Sequence, residues 1–451
     1  MYASALEDLE RGRTGSQISR WQRILRTGPV SPSAERSQEL IDLVSRFEGT
    51  SCLARLQLDI DASSYVEYVR ERILQDLDRF AFVLPFEVDV DDQKKSSWVH
   101  QAMHEVRSSM DEPGEFSVSR TLQYLQDHKV ILKPGGGELD QVYLCTELVF
   151  FLLGHITTLY LPAATNLATH QLCLDRRYPR GHGTFEEYTN DVIEVEEAAR
   201  PFRDMLLGFG GLQPTCEHEP SNRVQPIFTS QFNAHVFATI GRIRFEWTDL
   251  LPAHLDFDDD TRTLYIYQRP TFCLLNIAAQ SQTRQREWKT ILARCLESDT
   301  DQHAEAKVSE YMQEVLLSTH MIFGQFSKAR KTFKSSTGSG NISSLSPDPL
   351  LPVLCTGQWP FADLIRRPKK RYVLGQDFPL LGEKLQVIAD YTNGSQPTNV
   401  WDLWKDKRNP LQWWTFSAVV LVGGFGLLFA ILQTALSAAQ VHYAARDVRR
   451  V

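Results

Sequence analysis

Residues 412–441 read QWWTFSAVVLVGGFGLLFAILQTALSAAQV, with no charged side chain, in a chain that is 23% charged overall. The densest part, Thr415 to Leu432, is 18 residues long. As a helix rising about 1.5 Å per residue it covers roughly 27 Å, close to the ~30 Å hydrocarbon core of a bilayer. The uncharged run beyond it, to Val441, leaves room for tilt. Asn409 suits an N-cap, and Pro410 suits the first helical position, where the missing N–H costs nothing. The pattern therefore predicts a transmembrane helix over 410–441. Trp413 and Trp414 upstream, and Tyr443 downstream, place amphipathic rings at the two water–lipid boundaries. Gly426, Ala430, Thr434 and Ala438 recur every four residues, which puts small side chains on one face where a second helix can approach closely.

Basic residues flank the segment evenly. Lys405, Lys407 and Arg408 precede it, and Arg446, Arg449 and Arg450 come after it, so the positive-inside count is tied. Orientation then rests on other signals. The opening MYASALEDLERGRTGSQISRW has acidic residues early and no apolar stretch, unlike a secretory signal. The seven cysteines (Cys52, Cys145, Cys173, Cys216, Cys273, Cys295, Cys355) are widely spaced, form no CxxC pair, and several sit in apolar runs. That usage fits a reducing compartment. The expectation is a tail-anchored arrangement with the large N-terminal region in the cytosol. The sequons at Asn341 and Asn393 test it, since glycan on either would place this part in the lumen.

Working outward, 42% hydrophobic residues give ample material for a core. The net charge of −8 argues against a general nucleic-acid binder. The local basic run RRPKKR, Arg366 to Arg371, reads first as a solvated loop, with a membrane surface or a partner as the other reading. The fold class predicted is mainly α with a small β-hairpin region, plus the one terminal transmembrane helix. Helical patterns cover 33–48 and 63–80; in the second, Val66, Val69, Ile73, Leu77 and Phe80 fall on one face. SSWVHQAMHEVRSSM continues the style, and Glu138 opens another helix after KPGGG. The charge-free stretch from Leu148 to Leu174 is less apolar than the terminal one, roughly 1.5 against 2.1 in mean hydropathy, and carries His155, Pro162, Asn166 and His170. It reads as a buried core helix followed by a loop. Thr184 and Glu187 have capping-box spacing for a helix running to the glycines at 208–211, divided at Pro201. RIRFEW and TLYIYQ alternate at period two around DDDT, a hairpin pattern. Helices return at 283–298 and 302–325, the latter with a stripe of Val308, Met312, Val315 and Leu316, and again in LLGEKLQVIADY.

This gives a helical N-terminal region over 1–230 and a hairpin with helices over 231–333, packed on it. A Ser/Gly/Pro-rich linker covers 334–352, a juxtamembrane region 353–409, the transmembrane helix 410–441 and a basic tail 442–451.

Chemistry is harder to place. His100 and His104 share a helix face, but HExxH is absent and a surface helix explains them better. The CEHE loop, 216–219, clusters ligand types whose side chains point different ways. Asp256 to Asp260 lack the glycine and terminal glutamate of an EF-hand, and read as a solvated turn. No phosphate-binding or nucleophile-elbow motif occurs. Asp249 and His254 have base-and-orienter types, but with no recognisable nucleophile nearby they read as structural hydrogen bonding. No catalytic residue, cofactor or metal ligand is assigned.

Residues 240–440 resemble an uncharacterised family of proteins from filamentous fungi. The resemblance is carried by FEWTDLLPAHLDFDDDTRTLYIYQRPTFC, EVLLSTHMIFGQ, DPLLPVLC and FPLLGEKL in order, then LWKDKRNPLQWWTFSAVVLVGG, where Ser417 stands in place of a frequent Trp. It implies a fungal source and a membrane-embedded C-terminus, and brings no catalytic residue. The reading is a single-pass membrane protein whose helical domain serves as an interaction or scaffolding module. Its partners are the bilayer and, through the transmembrane helix, another copy or a second protein. The alternatives are a membrane-held enzyme of unrecognised type, and an oligomeric membrane component with a second span at 148–164.

Overall fold

The computed structural model describes residues 63–86, 90–112, 114–134, 139–163, 171–174, 192–208, 226–283, 291–296, 304–338, 347–357, 359, 361, 365–395 and 410–448. The helix expected at 33–48 and the CEHE loop lie outside the described residues. The described residues are mainly helical, with few short strands. By its contacts the chain divides into two units, Met1–Ala238 with Ile243–Ala389, and Thr239–Arg242 with Asp390–Val451.

The first described element of the first unit is the predicted amphipathic helix. Helix α1 (Ser63–Asp76) and the 3-10 turn Leu77–Val83 bury Val66, Val69, Ile73, Leu77 and Phe80. α1 packs against α2 (Asp92–Asp111) and α4 (Leu139–Thr157), and α3 (Val118–Asp127) lies on both of those. Ser117 starts α3 as its N-cap, its hydroxyl accepting the Arg120 N–H at 3.2 Å. α4 contains the apolar stretch from Leu148. Leu148 to Leu153 and Ile156 are all buried, each large side chain contributing about 1.5–3 kcal/mol on leaving water. The helix ends at Thr157, and Thr158 turns the chain with a φ of 54°. Tyr160 then folds back to stack on Phe150 at 4.4 Å and donates its hydroxyl proton to the Phe150 carbonyl at 2.6 Å. This is a core helix and then a loop, as expected, rather than a second span.

Strands β1 (Gln171–Cys173) and β2 (Val192–Glu194) pair antiparallel. Here the structure departs from the expected capped helix. Thr184 and Glu187 lie outside the described residues. The chain then passes through β2 and a 3-10 turn at Val195–Ala199, and only after these enters helix α5 (Phe202–Gly208). The β-branched Val192 and Ile193 favour extended backbone. Pro201 holds Arg200 extended, at φ −67° and ψ 155°, so no helix passes through.

The central sheet also differs from expectation. β3 (Ile227–Phe228) pairs with Arg371–Tyr372, far along the chain. β4 (Arg244–Thr248), β5 (Phe257–Asp258) and β6 (Thr263–Tyr267) form a sheet of order β4-β6-β5. β4 runs parallel to β6, so RIRFEW and TLYIYQ are not the two arms of a hairpin; the hairpin is β5 with β6. The reason lies in burial. Every residue of β6 is buried, so it takes the central place with a neighbour on each edge, whereas β4 leaves Arg244 and Glu246 exposed and lies at the edge. Asp258 closes the β5–β6 turn, accepting N–H bonds from Asp260 and Thr261.

Helix α6 (Pro270–Thr283) comes directly after β6, and of the helix expected over 283–298 the described residues Ile291–Leu296 form α7. α8 (Ala304–Thr319) buries the predicted Val308, Met312, Val315 and Leu316, packs on α6, and ends in a π-turn at His320–Gly324. Phe323 of that turn meets Phe245 and Trp247 of β4 at 5.1 and 5.3 Å between centroids. α9 (Ser327–Gly338) runs into the Ser/Gly-rich stretch. At the far end of that stretch the buried Asp348 accepts the Thr271 N–H at 3.0 Å and the Leu350 N–H at 2.8 Å, starting α6 and α10 (Leu350–Cys355) together. β7 (Arg371–Tyr372) is the antiparallel partner of β3. Helix α11 (Gly382–Gly394) sends Lys384 to Asp256 at 2.6 Å and to the Pro252 carbonyl at 2.6 Å.

In the second unit, α12 runs from Pro410 to Val448, with proline at its first position as predicted.

Candidate functional site

α12 contains the candidate span, Trp413–His442, 30 residues long, whose most apolar window of 18 residues has a mean hydropathy of 2.3 and is 6% buried. Among the described residues it is the one helix long and apolar enough to cross a membrane. Its surface is what water rejects. Val422, Leu427, Phe429 and Ile431 are 73%, 67%, 64% and 63% exposed, side by side along one helix. Contiguous apolar surface of this kind marks a membrane or partner contact rather than a solvent face. Two hydroxyls in its C-terminal half are satisfied inside the helix. Thr434 donates to the Ala430 carbonyl at 2.8 Å and Ser437 to the Gln433 carbonyl at 2.9 Å, so neither hydroxyl needs water.

Trp413 is half-buried and Trp414 exposed, their rings edge to face at 5.0 Å. Tyr443 belongs to α12, but its side chain lies outside the described residues. Around Gly426 nothing approaches within 4 Å of where a Cβ would stand, and Ala430, Thr434 and Ala438 are exposed, so the small-residue face is uncovered.

The globular unit holds the other polar candidates. Asp249 and His254 are both buried, but with separate partners. Asp249 Oδ1 accepts from Arg269 Nε at 2.8 Å and Gln268 Nε2 at 2.9 Å. Arg269 lies over the Tyr68 ring, 3.5 Å from its centroid. Burial is the largest single influence on Arg269 and works against its charge, but Asp249, Tyr68 and Asp348 together outweigh it and hold the guanidinium above its ordinary pKa. His254 Nδ1 accepts the Tyr267 N–H at 3.2 Å, which leaves its proton on Nε2, facing Ser318 Oγ at 2.8 Å. Ser318 in turn donates to the Val315 carbonyl at 3.1 Å. In this tautomer His254 gives a proton to the serine rather than taking one, so the pair is a structural brace. Burial, helped by Lys384, pushes His254 down to about 3 and keeps it neutral.

A surface cleft of about 200 Å³, open solvent included, is lined by Glu310, Gln313, Glu314, Leu317, Arg366 and Asp377. It is smaller than ordinary ligand pockets. Burial pushes Glu314 up to about 8, against the Leu381 and Leu380 N–H groups it accepts at 2.7 and 3.1 Å. Asp258, Asp259 and Asp260 cluster at the β5–β6 turn, where Asp258 already bonds the turn itself. His104 faces Glu105 at 3.5 Å.

Sequence reasoning found α12 and missed Arg269 and Glu314. Arg269 had a signal, since it is the one charge between Thr263 and Leu275 and a lone charge in an apolar run needs a partner. Glu314 had none, because glutamates on amphipathic helices are ordinary. No family model, curated protein or solved structure matches this chain.

Proposed function

We propose that the chain is a single-pass membrane protein of the tail-anchored type, with its globular helical unit in the cytosol serving as an interaction or scaffolding module. The observation that carries this is the exposed apolar surface of Trp413–His442, on a helix whose Thr434 and Ser437 hydroxyls are satisfied internally. The five described cysteines are free thiols, four of them buried, which favours the reducing side for the globular unit. The test is the full-length chain in cells. It stays in the membrane pellet after alkaline carbonate, Asn341 and Asn393 remain unmodified, and a sequon appended after Val451 gains glycan. Release by carbonate removes the anchor; glycan on Asn341 or Asn393 reverses the orientation.

The uncovered face of Gly426, Ala430, Thr434 and Ala438 supports self-association of the helix. Leucine at both Gly426 and Ala430 adds bulk where backbones would meet, so dimer signal in a membrane two-hybrid assay falls severalfold. An unchanged signal assigns the face to lipid.

A further inference from the structure

The basic run RRPKKR lies at the surface of the first unit, and all five of its cations are exposed. Two are matched locally: Arg366 Nη2 meets Glu310 at 2.9 Å, and Lys369 Nζ meets Asp377 at 2.5 Å. Among the described residues no carboxylate pairs with Arg367, Lys370 or Arg371. The β3–β7 register sets Arg371 opposite Phe228, with its guanidinium 5.8 Å from a ring that is 43% exposed. The Thr229 N–H donates to the Lys370 carbonyl at 3.1 Å, fixing the loop to β3. Tyr372 accepts from Gln325 Nε2 at 3.0 Å, next in the chain to the exposed Phe326 and to α9, whose sequence SKARKTFKSSTG has no acid.

One exposed phenylalanine is ordinary. Held among cations without carboxylate partners, it has the composition of an interfacial surface, with charges for anionic headgroups and a ring for the headgroup–acyl boundary. Nucleic acid fits less well, because the chain carries a net charge of −8. What selects a lipid surface is the apolar helix, which begins about 40 residues after Arg371 and tethers the unit, so that even a weak patch meets the bilayer at high effective concentration.

We propose that Arg367, Lys370 and Arg371, with Phe228, form a second membrane contact that binds the anionic headgroups of the bilayer α12 enters. This rests on the anchor reading and goes beyond it. The experiment uses the full chain in nanodiscs of phosphatidylcholine alone or with about 30% phosphatidylserine, an anionic surface of the kind polybasic segments bind. Backbone hydrogen exchange is measured over 226–229 and 366–372. Exchange there is about tenfold slower with phosphatidylserine, and the protection is lost near 0.5 M salt as charges are screened. Arg367→Glu with Lys370→Glu, both exposed positions, abolishes it while α1 to α4 exchange as before. Equal exchange in the two disc types overturns the proposal, as does protection that the double variant retains. Equal slowing by single-stranded RNA added to phosphatidylcholine discs also overturns it and assigns the surface to nucleic acid. A chain that enters neither disc removes the anchor, and the docking with it; a chain that enters both without protection removes the docking alone.

Discussion

Replacing Arg269 with methionine lowers the unfolding free energy of the globular unit by about 3–5 kcal/mol, the usual cost of breaking a buried ion pair from one side. The guanidinium is 2% exposed, bonds Asp249 at 2.8 Å and covers the Tyr68 ring. Methionine fills much of the volume but leaves Asp249 as a buried carboxylate with only Gln268 and Tyr68 beside it. The loss is therefore mostly the penalty on the stranded acid. Asp249→Leu added to Arg269→Met accordingly regains most of the stability, since neither charge then remains to be solvated. Urea unfolding read by tryptophan fluorescence checks both. A single-variant loss below about 1 kcal/mol, the scale of an exposed ion pair, would show that water reaches this one.

The second large effect concerns the proposed anchor. Leu428→Arg places a cation near the middle of α12, where Leu428 is 55% exposed and its surroundings are apolar. Exchanging leucine for arginine at the centre of a spanning helix costs about 3 kcal/mol on insertion scales, or about a hundredfold in the insertion equilibrium constant. Insertion is read from glycan on a sequon appended after Val451, and falls from near complete to a small minority. Leu428→Ala, which keeps the helix apolar, stays inserted. Full insertion of the arginine variant would mean that α12 buries this face against protein rather than lipid.

The terminal helix and the first amphipathic helix were legible because one local property decides each. For α12 it is length without charge, and for α1 it is spacing at 3.6 residues, which put Val66, Val69, Ile73, Leu77 and Phe80 on one buried face. The stretch from Leu148 was separable from a membrane span because most of its polar residues fall after the helix, where the chain turns at Thr158. The sheet was less legible. Alternation in RIRFEW shows that one face is buried, but not which strand lies alongside; that depends on β6 being buried throughout and therefore central. α6 went unseen as a helix start because its buried residues, Phe272 to Ala278, leave no polar stripe to give a period. The Asp249–Arg269 pair and its ring contact with Tyr68 join distant parts of the sequence, and no local window contains them. The basic run at 366–371 was visible, but Phe228 became part of it only through the β3–β7 pairing.

That ring contact also sets an order of events during synthesis. Tyr65 of α1 packs on Phe272 at 4.9 Å, and Tyr68 lies under Arg269. Roughly 200 residues separate these partners, so at 5–20 residues per second α1 leaves the ribosome about 10–40 s before the surface it fits. For that interval the nascent chain displays the inner face of α1 without the Arg269 and Phe272 side chains that finally cover it. A stall or truncation before β6 therefore yields a chain with its first helices formed and a sticky tyrosine face uncovered, the kind of species that holdase chaperones bind.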